Sequence, residues 1–401
     1  MLQMKWGKAF FVGLSMAVLC SSLGIAQTES KEPEDPARKE AFRVYDAGRY
    51  VDAMPLLENY VTQHPDDLVA KEHWAYSVLQ YGSTLSDAAD RKKARALARA
   101  LAIELKKAGD QSDVLQVMLA LPEDGSEGTF STRKDVDDAI KAAESDFSRG
   151  DYEKALAGYT KVLTLDPSNY EAMVFSGDVY FRKKQYDQAS EWFARAAQVD
   201  PNREAAYRYW GDALTSLSKN ADARARFIDA VVAEPYSKDS WMALRQWADR
   251  NQVKLNLVVL KDKSTPTTQG KSPAVADSKA KNSGDVDAAA WVAYSGVRSG
   301  WQKEKFKKEF PQEPAYRHSL REEAEALDTM AKTIASDGKT KDVDPGLLAL
   351  VQIDDSGLLD PFVLYNRADK DVARDYPAYR EAHRDTLRRY LDEYVVPKTP
   401  K

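Results

Sequence analysis

Residues 152–167 read YEKALAGYTKVLTLDP; 34 residues on, 186–201 read YDQASEWFARAAQVDP, and after the same step 220–235 read NADARARFIDAVVAEP. The step holds position by position. Asp166-Pro167, Asp200-Pro201 and Glu234-Pro235 keep it, as do Ala155, Ala189 and Ala223, and the rings Tyr159, Phe193 and Phe227. Val162, Ala196 and Ala230 keep it too, and upstream so do Ala143, Gly177 and Gly211. Small side chains recurring on two successive helices mark where the axes come closest, and large ones fill the gaps between units. Pro cannot continue a helical hydrogen-bond ladder, so each Pro closes a second helix. A two-helix unit cannot bury its apolar face alone, so units at this period stack into a solenoid. The expected fold class is all-α.

The tandem copies run 136–169, 170–203 and 204–237. Gly150-Asp151-Tyr152-Glu153-Lys154-Ala155 resembles the inter-helix turn and second-helix start of the tetratricopeptide repeat family. Two positions depart from that family's pattern: Asp146 stands for an aromatic in the first helix of copy one, and Asn220 for the Tyr found at Tyr152 and Tyr186. The resemblance implies a helix-turn-helix solenoid whose first helices line a concave groove that holds a protein or peptide segment. A further copy fits 34–67, with Gly48, Tyr50, Ala53, Leu57, Tyr60 and Pro65 in phase. Residues 68–121 look like a stretched unit, with His73-Trp74-Ala75-Tyr76 on a first helix, Arg91–Ala108 as a long second helix and Val114–Leu121 as a short third. A loop follows over 122–135, and Trp241, Leu244, Trp247 and Ala248 stripe a capping helix at 240–251.

The ends of the chain have a different character. Lys5 and Lys8 precede a largely apolar run from Ala9 to Cys20 and small residues up to Ala26, the layout of a signal peptide at 1–26. The run is shorter than the roughly 20 residues of a membrane span; an uncleaved anchor is the alternative. Cys20 is the single Cys, so a chain cut after Ala26 has no thiol and no disulfide, and its net charge goes from −5 to −7. The expected destination is the periplasm or the exterior. Residues 252–285 read as a linker, rich in Lys, Ser, Thr, Pro and Gly over 261–285, with a weakly alternating, extended stretch at 253–260. Residues 286–397 read as a small helical domain, with stripes at Trp291, Tyr294, Val297 and Trp301, at Tyr316, Leu320, Leu327, Met330 and Ile334, and at Tyr379, Leu387, Tyr390 and Tyr394.

Composition narrows the chemistry. Lys+Arg 58 against Asp+Glu 63 gives an acidic balance, which disfavours a nucleic-acid partner. One Cys and four His leave little for metal sites, and no catalytic motif is present, so neither cofactor, metal nor catalytic residue is expected. His64, His73, His318 and His383 read as surface or capping residues. Gly296 and Gly300 suggest close helix packing. Lys303, Lys305, Lys307 and Lys308, broken by Glu304 and Glu309, read as a solvated face. Arg380, Arg384 and Arg388 among Asp and Glu read as i, i+4 support of an exposed helix.

The repeats carry the pattern that points to a site. By phase, groove-facing positions are Ile140, Glu144 and Phe147 in copy one; Val174, Asp178, Phe181 and Arg182 in copy two; and Arg208, Asp212 and Thr215 in copy three. Glu144, Asp178 and Asp212 lie one repeat apart, an acidic ladder suited to a basic or amide-rich peptide, or else short polar residues bonded within their own repeats. The family's clamp for a C-terminal carboxylate is absent, since Ile140, Glu144, Ala205 and Tyr209 stand at its positions. The expected function is an exported, non-catalytic adaptor that binds a protein or peptide, with a place in a cell-envelope assembly. The alternative makes the C-terminal domain a ligand-binding or hydrolytic module that the repeats target.

Overall fold

The computed structural model describes residues 35–260, 286–337 and 343–396, with 86 and 127 excepted. The expected signal peptide and the 261–285 stretch of the expected linker lie outside the described residues. Those residues form helices, turns and irregular segments, with no strand among them. The chain divides into two compact units, 1–199 and 200–401.

The first unit holds α1 (Pro36–Asp46), α2 (Tyr50–Gln63), α3 (Leu68–Thr84), α4 (Ala88–Lys107), α5 (Asp113–Leu119), α6 (Lys134–Ser148), α7 (Tyr152–Leu165), α8 (Tyr170–Arg182) and α9 (Tyr186–Val199). Short polar side chains start them. Asp35 accepts from the Ala37 N–H with Pro36 at the first helical position, Asp67 from Ala70, Ser112 from Leu115 and Asn169 from Ala172. The stretched unit is α3, α4 and α5. Arg95 and Arg99 of α4 donate to the Gly125 and Leu121 carbonyls at 2.7 and 2.8 Å, which ties the loop after α5 back onto α4.

Each repeat turns on one left-handed residue. Gly48, Gly150, Lys184 and Ser218 have φ of 73, 81, 59 and 60°, and they stand in the 34-residue phase. Glycine adopts this conformation freely, whereas Lys184 and Ser218 take it at a cost of roughly 1 kcal/mol each. The reward is a closed helix end: Lys184 N–H bonds the Phe181 carbonyl and Gln185 N–H the Tyr180 carbonyl, both at 2.9 Å.

The second unit begins with α10 (Glu204–Ser216), α11 (Asn220–Ala233) and α12 (Lys238–Arg250). Gln252 has φ 56°, again in phase, so the expected capping helix α12 is the first helix of a fourth unit that is never completed. The chain instead runs on without regular structure. Val253, Leu255, Val258 and Leu260 pack on the core of the C-terminal helices, and Asn256 N–H bonds the Val395 carbonyl at 2.8 Å. Residues 252–260, expected as linker, are therefore part of the folded unit.

The C-terminal helices are α13 (Val286–Gly300), α14 (Phe306–Glu309), α15 (Leu320–Asp337), α16 (Pro345–Asp355), α17 (Leu359–Asn366) and α18 (Tyr376–Tyr390), with a wide helical turn at 301–305 leading into α14. One hydrophobic core joins them to the last repeat. Phe227, Ile228 and Val231 of α11 and Leu244 and Trp247 of α12 belong to the same cluster as Trp291, Leu327, Leu350, Phe362, Leu387 and Tyr390.

The arginines of α18 are not an exposed stripe. Arg380 donates to the Ala233 carbonyl, Arg384 to the Pro201 carbonyl at 3.1 Å and to Asn202, and Arg388 to Asp229. Tyr376 adds its hydroxyl to the Val232 carbonyl at 2.6 Å, and Arg224 of α11 returns a bond to Asp392 at 2.6 Å. The last carbonyls of any helix lack partners within it; here the tail supplies them. The i, i+4 spacing is the same for salt-bridged and docked arginines, so spacing alone does not separate the two. The expected close packing at Gly296 and Gly300 is also not found: a side chain added at either would meet open space.

Within the repeats the small residues sit where expected. A Cβ on Gly177 would lie 2.5 Å from the Phe193 ring, and one on Gly211 2.6 Å from Phe227. In copy one the first helix carries Ala143, and the second compensates with Gly158 opposite it. Gly177→Ala gains about 1 kcal/mol in helix propensity but forces the ring aside at about 1–3 kcal/mol. Urea unfolding is expected to show a net loss of stability; a gain would mean that Phe193 has room to move.

Candidate partner-binding face

In the first unit α1 packs on α3 and α3 on α6, so the first helices of successive units stand side by side. Aromatic rings gather along them. Tyr45 stacks on His73 at 3.8 Å and meets Tyr50 edge-on at 5.0 Å, and Tyr50 meets Tyr76 at 5.1 Å. Phe147 and Tyr152 at 5.7 Å, and Phe181 and Tyr186 at 5.2 Å, repeat the Tyr45–Tyr50 pair in phase. Burial raises the Tyr76 hydroxyl to about 12, against the opposing charge of Arg182. Phe147 and Phe181 are half-buried and Arg182 is exposed, so these expected positions do present surface.

Other expected positions face inward. Ile140 is fully enclosed, Val174 is 3% exposed and Asp178 4% exposed. Every residue from Ala172 to Val179 is buried, so α8 is packed on all sides along its middle. The repeat phase identifies equivalent positions but does not say which of them point outward, and Ile140, Val174 and Asp178 belong to the packed interior.

Glu144 and Asp212 of the ladder each face neighbours within the same compact unit. Glu144 accepts a hydrogen bond from the hydroxyl of Tyr159, the enclosed ring of its own repeat. Burial pushes the Glu144 carboxyl up to about 7, and the Tyr159 bond opposes the rise. In the second unit burial pushes Asp212 up to about 6, against the pull of Arg208 and Arg250. Arg208 pairs with Glu204 at 2.9 Å and lies over the Tyr209 ring at 4.4 Å. Thr215 bonds back to the Gly211 carbonyl of its own helix at 2.8 Å. Arg250 was missed by the phase, because it lies on the incomplete fourth unit. Tyr45 was also missed, although it stands three periods before Phe147.

The second unit holds a charged cluster that the sequence reading missed. Glu322 and Glu323 of α15 are 0% and 1% exposed. Arg298 bonds Glu322 at 2.5 Å and Glu323 at 2.9 Å, Tyr294 gives its hydroxyl to Glu323 at 2.7 Å, and Arg367 pairs with Glu323 at 2.5 Å. His318, expected at the surface, has a side chain only 11% exposed and sits between Glu323 and Asp369. Two carboxylates inside a fold must be paired, and the cluster does so with two arginines and an imidazole. A signal was available: Glu323 falls three after Leu320 and four before Leu327, on the apolar stripe of its helix. Among the described residues no group of three or more His, Cys, Asp or Glu is placed to hold a metal ion, and no helix is long and apolar enough to cross a membrane.

Residues 146–217 match the family model for the tetratricopeptide repeat. The match takes in the second helix of copy one, all of copy two and the first helix of copy three. Tetratricopeptide repeat protein 28 of Homo sapiens is 26% identical over 111 residues, 28% of this chain and 4% of that protein. Its Mus musculus counterpart is 31% identical over 88 residues, 22% of this chain and again 4% of that protein, so the chain spans a small fraction of these relatives. Among solved structures, the first TPR of Spaghetti (RPAP3) bound to the HSP90 peptide SRMEEVD is 23% identical, covering 31% of this chain and 98% of that one with a TM-score of 0.28.

The Glu144 site makes a pH prediction. Its folded pKa, about 7, lies above the ordinary 4.5, so the folded state holds the proton more tightly. Stability from this group is then present below pH 4.5 and is lost as pH rises through about 7. Glu144→Gln is expected to remove that slope, giving urea midpoints that change less between pH 5 and pH 8 than those of the wild type. An unchanged slope would place the titration elsewhere.

Proposed function

We propose that this chain is an exported helical-repeat adaptor that holds a protein or peptide segment against the first helices of its repeats and performs no catalysis. The observation that carries the reading is the train of 34-residue two-helix units with rings repeated in phase at Tyr45/Tyr50, Phe147/Tyr152 and Phe181/Tyr186. Half-buried rings beside an exposed cation, Arg182, grip an extended segment through its side chains and its carbonyls. In the second unit the tail takes its bonds from the second helix α11 and from the 201–202 turn. Arg208 and Asp212 lie on the first helix.

The partner is a protein segment in the cell envelope, reached through the signal peptide expected at 1–26. The basic segment expected from the acidic ladder loses support, since Asp178 is 4% exposed and burial raises Glu144 and Asp212 toward neutrality. The burial of those acids shifts the weight of recognition to the rings. A hydrolytic tail is the less favoured reading, because Glu322 and Glu323 are enclosed and already held by Arg298, Arg367 and His318.

The test is a cross-linked pull-down of tagged protein, wild type against Phe147→Ala/Phe181→Ala/Arg182→Glu, with helicity checked by circular dichroism. The adaptor reading expects a partner captured by the wild type and lost by the folded variant. A partner retained equally by both would move the site off this face.

A further inference from the structure

The charged cluster of the second unit is used neither by the repeats nor by the proposed partner face. His318 stands just before α15 with both ring nitrogens on carboxylates: Nδ1 lies 2.7 Å from Asp369 Oδ2, and Nε2 lies 3.0 Å from Glu323 Oε2. Two acceptors on one imidazole call for two N–H donors, which only the imidazolium has.

The surroundings agree. The groups around His318 are Tyr294 and Arg298 from α13, Tyr316 and Arg317 just before it in the chain, Glu322 and Glu323 from α15, Arg367 just past α17, and Asp369 from the loop that follows. Arg298, Arg367 and a protonated His318 balance Glu322, Glu323 and Asp369 charge for charge. With a neutral His318 the cluster carries one uncompensated negative charge.

The two carboxylates on the ring are not equal. Glu323 also accepts from Tyr294, Arg298 and Arg367, and is 1% exposed. The Asp369 side chain is 54% exposed, and its other oxygen accepts the N–H groups of Asp371 and Val372, both at 2.9 Å. Those residues form the turn that leads into α18. Beside it, Arg317 grips both oxygens of Asp375 at 2.7 and 3.1 Å, and Asp375 also accepts the Leu320 N–H at 2.8 Å. Two clasps therefore tie residues 317–320 to the 369–375 turn. The arginine clasp keeps its charge at all physiological pH, and the histidine clasp titrates.

We propose that His318 is a proton-operated latch: protonated, it ties the start of α15 to the 369–375 turn and fixes the root of α18; deprotonated, it releases Asp369 and loosens that turn and the strap that α18 lays on the third repeat. The ring is held above its ordinary 6.5, because the bonds to Glu323 and Asp369 outweigh burial and Arg298. Burial works against the ionised Glu323, yet His318, Arg367 and Tyr294 hold its carboxyl down to about 2, so it stays ionised while the ring titrates. The latch is closed below pH 6.5 and opens as pH rises through the higher pKa of the bound ring. Tyr376, the first residue of α18, bonds the Val232 carbonyl of α11 at 2.6 Å, which carries the change to the repeat.

Linkage makes the latch quantitative. For every pH unit by which the closed ring's pKa exceeds that of the open ring, the opening equilibrium changes about tenfold. The test uses the full chain: histidine NMR titration together with amide exchange of residues 369–376 at pH 6 and pH 9, corrected for intrinsic rates. The wild type is expected to lose protection in this segment by the factor that the NMR pKa sets. His318→Gln is expected to show no such pH dependence. Asp369→Asn, which leaves the buried part of the cluster in place, is expected to bring the His318 pKa back toward 6.5 and to flatten the exchange profile. Wild-type protection that does not change with pH overturns the latch, and so does an equal pH dependence in His318→Gln or Asp369→Asn.

Discussion

A helix that ends inside a fold must find donors for its last carbonyls, and the second unit is organised by how α11 finds them. Val232 takes the Tyr376 hydroxyl and Ala233 takes the Arg380 guanidinium. Arg388 on Asp229 and Arg224 on Asp392 extend the same line of contact along α11 and α18. With these bonds made, Ile228 and Val231 share a core with Leu387 and Tyr390. The third repeat then has a permanent neighbour on its second helix. Its end does not need a complete fourth unit, and α12 stops at the Gln252 turn. The terminal repeat of a solenoid has to hide its apolar face; here the tail does that.

The repeats themselves rest on the ring-over-glycine contact at Gly177/Phe193 and Gly211/Phe227. That contact brings the two helices of a unit close enough for a single left-handed residue to turn the chain. Side chains just before and after the turn, such as Phe181 and Tyr186, then meet at its edge. The phased rings follow from the packing of each unit, and a partner face is what remains of them at the surface. The acids at 144 and 212 show the cost of placing carboxylates near such a core: burial raises both toward neutrality.

Much of this was readable from the chain, for physical reasons that can be named. Gly177 and Gly211 recur because Phe193 and Phe227 leave no room for a larger residue, and the first copy keeps a small one at Ala143, so the period and the two-helix unit were legible. Gly150 announced the turn, whereas Lys184 and Ser218 take the same conformation without announcing it. The direction of side chains was not legible: Val174 and Phe181 lie on the same helix in the same repeat, and only neighbouring helices decide that one is enclosed and the other reaches the surface. The arginines of α18 were misread because i, i+4 spacing looks the same whether the partner is on the same helix or on another. His318 looked like one more isolated histidine. Its carboxylate partners lie five and 51 residues away, and only the fold brings both to the ring.

The tail is bonded to the last repeat, and a double-mutant cycle on Arg388 and Asp229 reads that bond directly. If α18 docks on α11, Arg388→Ala and Asp229→Ala will couple, each change costing less in the presence of the other, with an interaction energy of about 0.5–3 kcal/mol in urea unfolding of the full chain. Strictly additive losses would contradict it, and would leave the C-terminal helices as a separate domain on a tether.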